Sequence, residues 1–199
     1  MEKHGTAPVA GWYVEFQMAI LRALPRDISQ QIADGWRGNG ESLARVLRDA
    51  LMSDGKPGNT YPVTVNYDLP VEDAVKAGKY DWMNSNVSSK NFPSKRKGTA
   101  EEEIVLVHFN RKIDSDEAVR ELGKMGLRPA ELPELLAFGA KYPDVQREFP
   151  VVALGSIWPS PDGLRLCAYL DRNSGLRGLR LDLLGRRWDS FCRFAALSK

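Results

Sequence analysis

Few side chains in this sequence have the chemistry of a nucleophile, a general base or a metal ligand. The sequence holds two histidines, His4 and His108, and two cysteines, Cys167 and Cys192. Zinc sites, phosphate-binding loops and nucleophile elbows each need reactive residues or glycines at a fixed spacing. None of these spacings occurs, and Leu154–Ile157 lacks the second glycine of a nucleophile elbow. We therefore expect a protein that is not an enzyme and that holds no metal and no cofactor.

His108 carries the one enzyme hypothesis that the sequence leaves open. It lies in an apolar stretch, where a lone histidine is more often a packed or rim residue than a base. The alternative is a site between the polar segment 80–98 and the strand that carries His108. The charged runs Lys95–Lys97 and Glu101–Glu103 are typical of solvated turns and strand ends. Because the two cysteines lie in a chain without a visible secretory signal, we expect free thiols.

Four residue types are missing from the last quarter of the chain. Val151–Ser198 contains no Lys, Glu, Gln or Met, although the first 150 residues contain 31 of them. At that rate, a segment of this length would contain roughly ten. The segment is nevertheless charged, with seven Arg and four Asp, whereas a solvated surface normally mixes all four charged types. A constraint other than solubility therefore selected these residues.

The positive charge of the chain is concentrated in its tail. The net charge is +2, from 28 basic and 26 acidic residues, which indicates no affinity of the whole chain for polyanions. Residues 175–199 hold six basic and two acidic side chains, a local +4, so the rest of the chain sums to −2. A nucleic-acid-binding tail is therefore an alternative function, and its affinity would fall steeply with salt.

Residues 1–58 are predicted to form a small packed module of three helices, because apolar residues recur there at helical spacing. A module of this size is expected to have little stability alone. The predicted boundaries are Trp12–Ala23 for the first helix, a cap at Asp27 for the second, a start at Glu41 or Ser42 for the third, and a linker over Ser53–Asn59.

Residues 59–199 are predicted to form an α+β domain, because a strand and two helices precede a run of short strands. Glu103–Asn110 is apolar on both sides and is expected in the interior of a sheet, whereas residues 80–98 are expected to form an irregular surface loop. The other predicted strands are Val63–Tyr67, Val151–Leu154, Leu164–Leu170, Arg177–Leu183 and Arg193–Leu197. The other predicted helices are Val71–Ala77, Asp116–Met125 with a cap at Asp114 or Ser115, and one from Pro129 or Ala130 to Gly139.

The tail combines strand alternation with an isolated tryptophan. Leu179 and Leu181 alternate with glycine and charged residues, so the leucines are expected to face the core and their neighbours to face outward. Trp188 lies between polar and charged residues and is expected to anchor a loop whose flanks are free to vary.

Three segments of the chain, Leu127–Leu136, Val151–Trp158 and Arg193–Leu197, resemble C-type-lectin-like domains. More specifically, they are similar to the variable proteins of bacterial diversity-generating retroelements. The resemblance covers about residues 100–199. It implies that the first strand, Glu103–Asn110, pairs with the last, that two helices follow the first strand, and that the late strands and loops present a binding surface.

The resemblance implies a reason for the missing residue types. In such systems reverse transcription randomises adenines, and binding positions are typically encoded by asparagine codons of the form AAY. Changes in the first two bases of these codons yield fifteen residue types, but never Lys, Glu, Gln, Met or Trp. Between Val151 and Ser198 only Trp158 and Trp188 fall outside the accessible set, and both would be fixed scaffold.

The resemblance and the strand alternation together predict a ligand-binding surface in the tail. A rigid core would carry adaptable side chains, among which Arg supplies forked donors and Tyr and Phe supply contact area. Because the surface has no obvious enclosed apolar pocket, we expect a protein ligand rather than a small molecule. The Glu-Pro-Asn and Trp-Asn-Asp motifs of calcium-binding lectins do not occur, so neither calcium nor sugar is implied. The predicted ligand-binding residues are Tyr169, Asp171, Arg172, Asn173, Arg180, Asp182, Leu184, Gly185, Arg186, Arg187, Asp189, Ser190 and Phe191.

The sequence shows no targeting or membrane segment. The amino terminus lacks a basic stretch followed by an apolar run, and no segment approaches the ~20 apolar residues that a membrane-spanning helix needs. We therefore expect a cytoplasmic protein, with surface display through another export route as the alternative. The oligomeric state is open.

Overall fold

The computed structural model describes three stretches of the chain, residues 11–24, 27–52 and 60–199. The chain divides into two units, Met1–Gly55 and Lys56–Lys199. His4 and the predicted linker over Ser53–Asn59 lie outside the described residues. Among the helices of the described stretches, none is long and apolar enough to cross a lipid bilayer.

The first unit contains the three predicted helices, α1 (Gly11–Ala23), α2 (Gln30–Gly38) and α3 (Gly40–Met52). The N-cap of α2 is Ser29, whose hydroxyl accepts a hydrogen bond from the Ile32 amide at 3.3 Å. The prediction that Asp27 caps this helix is wrong, because the backbone becomes helical only after Ser29, two residues later.

Among the side chains that are described between residues 11 and 52, none is buried. The described apolar residues of the three helices recur at helical spacing, as predicted, but they do not show the core of the packed module that we expected.

The second unit is built on an eight-stranded mixed sheet. Its elements in chain order are β1 (Thr60–Asn66), α4 (Val71–Gly78), β2 (Trp82–Met83), β3 (Thr99–Val107), β4 (Ile113–Asp114), α5 (Ser115–Lys124), β5 (Leu127–Pro129), α6 (Leu132–Lys141), α7 (Val145–Glu148), β6 (Val151–Pro159), β7 (Arg165–Asn173), β8 (Leu176–Leu183), β9 (Arg187–Trp188) and β10 (Arg193–Ser198). The strand order is β1-β3-β10-β6-β7-β8-β2, β5 pairs with β10, and β4 and β9 form a separate ribbon. The predicted α+β class is confirmed.

The last strand lies in the interior of the sheet. β10 pairs antiparallel with β3, where Ala195 lies opposite Leu106, and parallel with β6, where Phe194 lies opposite Val152. The predicted pairing of Glu103–Asn110 with Arg193–Leu197 is thus confirmed, as is the succession of β3 by two helices.

Two hydrophobic clusters cover the two faces of the sheet. Residues alternate between them along β10, with Phe194 in one cluster and Ala195 in the other. The larger cluster includes Phe138 of α6, and the smaller includes Leu122 of α5. The two helices that follow β3 therefore pack against opposite faces of the sheet.

Both of these helices begin with a side-chain cap. The Asp114 carboxylate accepts a hydrogen bond from the Glu117 amide at 2.7 Å, as predicted, whereas the Glu117 carboxylate bonds Arg111 at 2.8 Å instead of reaching back to Asp114. In α6 the N-cap is Glu131, later than predicted, and its amide donates to the Glu134 carboxylate at 2.7 Å. Charged residues at these ends also complement the helix dipole.

The segment 80–98 is more than the surface loop that we expected. Trp82 and Met83 form β2, which pairs parallel with Gly178 and Leu179 of β8. Further along the segment, Val87 and Phe92 belong to the larger hydrophobic cluster. Isolated apolar residues of this kind have no periodicity, so the sequence pattern gave no sign of them.

Arg177, at the start of β8, is buried within this unit and only 5% exposed. Its Nη1 donates to the Gly78 carbonyl at 2.8 Å and its Nη2 to the Gly139 carbonyl at 2.7 Å. The Gln146 side chain accepts from Nη2 at 3.0 Å, and the guanidinium lies 5.0 Å from the centre of the Tyr80 ring. One cation therefore satisfies carbonyls at the ends of α4 and α6, where helices leave acceptors unpaired.

Replacement of Arg177 by Leu should lower the free energy of unfolding by about 3 kcal/mol, because several buried carbonyls lose their donors. Arg172→Leu is the matched control in an exposed position, and we expect its effect to stay within about 0.5 kcal/mol. Urea unfolding followed by circular dichroism measures both. Equal stability of Arg177→Leu and the wild type would contradict this role of the guanidinium.

Candidate ligand-binding site

β7 and β8 place charged and aromatic side chains on one face of the sheet. Tyr169 lies opposite Arg180 in this antiparallel pair. Because side chains alternate along a strand, Tyr169, Arg180 and Asp182 project to the same face. Leu170 and Leu179 project to the other face, where both are fully buried. The predicted alternation of β8 is confirmed.

A concavity of about 240 Å³ lies between this face and residues 186–192. Eight of the thirteen predicted ligand-binding residues line it, so the structure brings together side chains from two strands and the following turns. Pro150 and Cys192 also line it, and no sequence pattern had singled them out. The eight predicted residues in the lining are Tyr169, Asp171, Arg172, Asp182, Arg186, Arg187, Asp189 and Phe191.

Trp188 forms part of the floor of this concavity and is 4% exposed. Its indole Nε1 donates to the Ser115 hydroxyl at 2.9 Å, and its backbone pairs with Ile113. The ring packs edge-on against Tyr169 and Phe194. The predicted role of Trp188 as the anchor of this loop is thus confirmed by its contacts.

Two ion pairs lie at the concavity. Asp171 accepts from Arg180 Nε at 2.8 Å, and Asp182 accepts from Arg186 at 2.6 Å. The Arg180 guanidinium also stacks on Trp82, 4.6 Å from the ring centre. Pairs of this kind hold long side chains in defined positions while leaving further donors and acceptors for a ligand.

The titratable groups next to the ion pairs are neutral at physiological pH. Burial, together with the carboxylates of Asp171 and Asp182, raises the pKa of Tyr169, which therefore keeps its hydroxyl proton as a donor. Cys167 and Cys192 are free and buried, as expected. Burial raises the pKa of the Cys167 thiol to about 12 and also raises that of Cys192, so neither is an activated nucleophile.

Five predicted residues lie outside the lining of the concavity. Leu184 is buried in the smaller hydrophobic cluster, so its prediction as a surface residue is wrong; the chain turns after β8 and directs this side chain inward. Arg180 is partly buried against Asp171 and Trp82. The other three, Asn173, Gly185 and Ser190, are exposed at strand ends and turns.

His108 contacts the loop that carries the concavity. It follows the end of β3, and its Nε2 lies 2.6 Å from the Ser190 carbonyl oxygen. By contrast, β2 of the segment 80–98 lies at the far edge of the sheet, and four strands lie between it and β3. His108 is therefore separated from β2, whereas Arg96, near the other end of the segment 80–98, pairs with Glu102 of β3.

A second group of ionisable residues lies at the start of α6 and is internally paired. Glu134 is fully buried and accepts from Arg128 at 2.8 Å and from the Tyr67 hydroxyl at 2.7 Å. Arg96 and Glu102 extend the network, so Arg96 is not the solvated charge that we expected. Burial and the Glu134 carboxylate raise the pKa of Tyr67 well above its usual range. Satisfied buried networks of this kind fix local geometry.

The basic tail does not form one open patch. Arg177 is buried, whereas Arg180 and Arg186 are paired with aspartates. Metal chemistry has no candidate ligand set either: within residues 11–24, 27–52 and 60–199, no three His, Cys, Asp or Glu side chains converge to hold an ion.

A larger cavity of about 440 Å³ lies elsewhere in the second unit, between β1, α4 and α6. Val63, Val71 and Leu136 are among its lining residues, as are alanines of both helices. Small side chains on the facing helices leave this space unfilled.

Comparison with known proteins gives no match: no family model matches the chain, and neither does any curated protein or any solved structure.

Gly178 lies directly below the Asp171–Arg180 ion pair. A Cβ at this position would meet the Asp171 carboxylate and would lie 2.9 Å from Arg180 Nε. We expect Gly178→Ala to displace the pair and to lower the free energy of unfolding by about 1–2 kcal/mol. Gly185→Ala is the control, because nothing lies within 4 Å of its added Cβ. Equal stability of the two variants in urea unfolding would show that the ion pair does not require this glycine.

Proposed function

We propose that this chain is a non-enzymatic ligand-recognition protein of C-type-lectin-like fold, and that a diversity-generating retroelement diversifies the surface of its tail. The second unit would be the recognition domain. The concavity between β7, β8 and residues 186–192 would be the centre of the diversified surface.

The order of the elements supports the lectin-like part of the proposal. β3 pairs with β10, the last strand, and the helices α5 and α6 follow β3. These are the relations that the resemblance implies for the first strand, the two helices and the last strand. The late strands β7 and β8 carry the candidate site, again as the resemblance implies.

The division between buried and exposed residue types is the observation that carries the proposal. Among the residues that line the concavity, only Trp188 belongs to a type that AAY codons cannot yield, and Trp188 is buried as part of its floor. The other lining residues are Arg, Asp, Tyr, Phe, Cys and Pro, all within the accessible set. A surface varied by this mechanism would retain such a fixed floor, because the fold needs it.

A macromolecular ligand, most simply a protein, fits the shape and chemistry of the site. The concavity of about 240 Å³ is smaller than the roughly 300–1,000 Å³ of most small-molecule pockets. Phe191 is 56% exposed at its rim, and Arg187 is exposed beside it. Exposed aromatic and Arg side chains are the groups that dominate the energy of protein interfaces.

The DNA around the gene tests this proposal. We expect a reverse transcriptase gene nearby, together with a near-copy of the segment that encodes residues 151–198. The copy should differ from the gene only where the copy has adenine, and the codons of Trp158 and Trp188 should be identical in both. Differences at other bases, or a genome without any such copy, would refute the proposal.

A further inference from the structure

The helical unit, α1–α3, exposes the residues that would normally form its core. At least eleven large apolar side chains between residues 11 and 52 are each more than a third exposed, among them Phe16, Leu21, Trp36 and Leu47. No side chain described there is buried. By contrast, the buried apolar residues of the described chain begin at Val63.

In α2 and α3 the apolar residues form stripes along one helix face. In α2, Ile32 and Trp36 are four residues apart, which places them on one face. In α3, Leu43, Val46 and Leu47 follow the i, i+3, i+4 spacing of a buried helix face. Such ordered stripes are typical of helices that pack against other helices.

The exposed apolar area approaches that of one side of a standard protein interface. Apolar side chains of this size have a surface of about 200 Å² each, so eleven of them, each exposed by a third or more, offer about 700 Å². A standard interface buries about 800 Å² on each partner. The described side chains of these helices therefore expose nearly the apolar area that one partner needs.

The charges of the helices favour a second copy of the chain over a charged polymer or an anionic membrane. Residues 11–24 and 27–52 hold four basic and five acidic residues, so the unit is nearly neutral and both signs occur on each of its helices. A symmetric contact can then pair acidic with basic side chains around the apolar stripes, because each copy supplies both.

We propose that α1–α3 form an oligomerisation element, and that a second copy of this chain supplies the apolar surface that the helices lack. Each oligomer would present two or more concavities, and multivalent binding would strengthen recognition by a weak surface. This benefit rests on the proposed function, whereas the assembly itself does not.

Sedimentation velocity of the full chain tests the assembly. We expect a mass of at least twice the 22.3 kDa of one chain at micromolar concentrations. Leu47→Asp places a charge in the α3 stripe and should raise the dissociation constant at least about tenfold. Leu183→Asp is the control, because Leu183 is a leucine of similar exposure in the second unit and its replacement should leave the mass unchanged.

Two results would overturn the proposal. One is a monomeric wild-type chain up to about 100 µM, a concentration at which even weak interfaces associate. The other is an oligomer that survives both Leu47→Asp and Val46→Asp, because the interface would then lie outside the α3 stripe. Neither result depends on the ligand or on the neighbouring DNA. The proposed assembly can therefore be refuted while the proposed function stands, and the proposed function can be refuted while the assembly stands.

Discussion

The buried guanidinium of Arg177 is the interaction on which the geometry of the second unit depends. A cation inside a protein is stable only when its donors are satisfied, and Arg177 finds its acceptors at the ends of α4 and α6. Gln146 extends the network to β7, because its amide donates to the Asp171 carbonyl at 2.7 Å. The contacts that fix β7 and β8 therefore lie on the face opposite to the candidate site. The side chains of that site are not needed to hold the two strands in place.

The alternation of side chains along β8 separates the residues that stabilise the fold from those that would contact a ligand. Leu179 of β8 packs into the larger hydrophobic cluster and Leu181 packs against it, while the alternate residues Arg180 and Asp182 project toward the concavity side of the sheet. Trp188 closes the floor through Ser115 of α5. The strands of this surface are fixed by Arg177 on the opposite face, and its floor is fixed by Trp188. Such a surface tolerates changes in its exposed side chains, which is what diversification requires. The missing Lys, Glu, Gln and Met residues are consistent with this division.

Regular patterns predicted most of the fold, and irregular features were missed. Two-sided hydrophobicity indicated that Glu103–Asn110 is an interior strand, and Asp114 was recognisable as a helix cap. β2 was not recognisable in the sequence, because a strand of two residues shows no periodicity. The inward turn of Leu184 depends on backbone geometry after β8 that composition does not encode. The unburied helices show a further limit: apolar spacing indicates that a face will be covered, but not by which partner.

The central claim is that the exposed residues of the concavity can vary while its floor cannot. The free energy of unfolding of two variants tests this directly, with asparagine as the common replacement because it is the residue that AAY codons encode. We expect joint replacement of Arg187, Asp189 and Phe191 by Asn to change the free energy of unfolding by less than about 1 kcal/mol. We expect Trp188→Asn alone to lower it by about 3–5 kcal/mol. Loss of folding in the triple variant, or full stability of Trp188→Asn, would show that the floor and the exposed residues do not differ in this way.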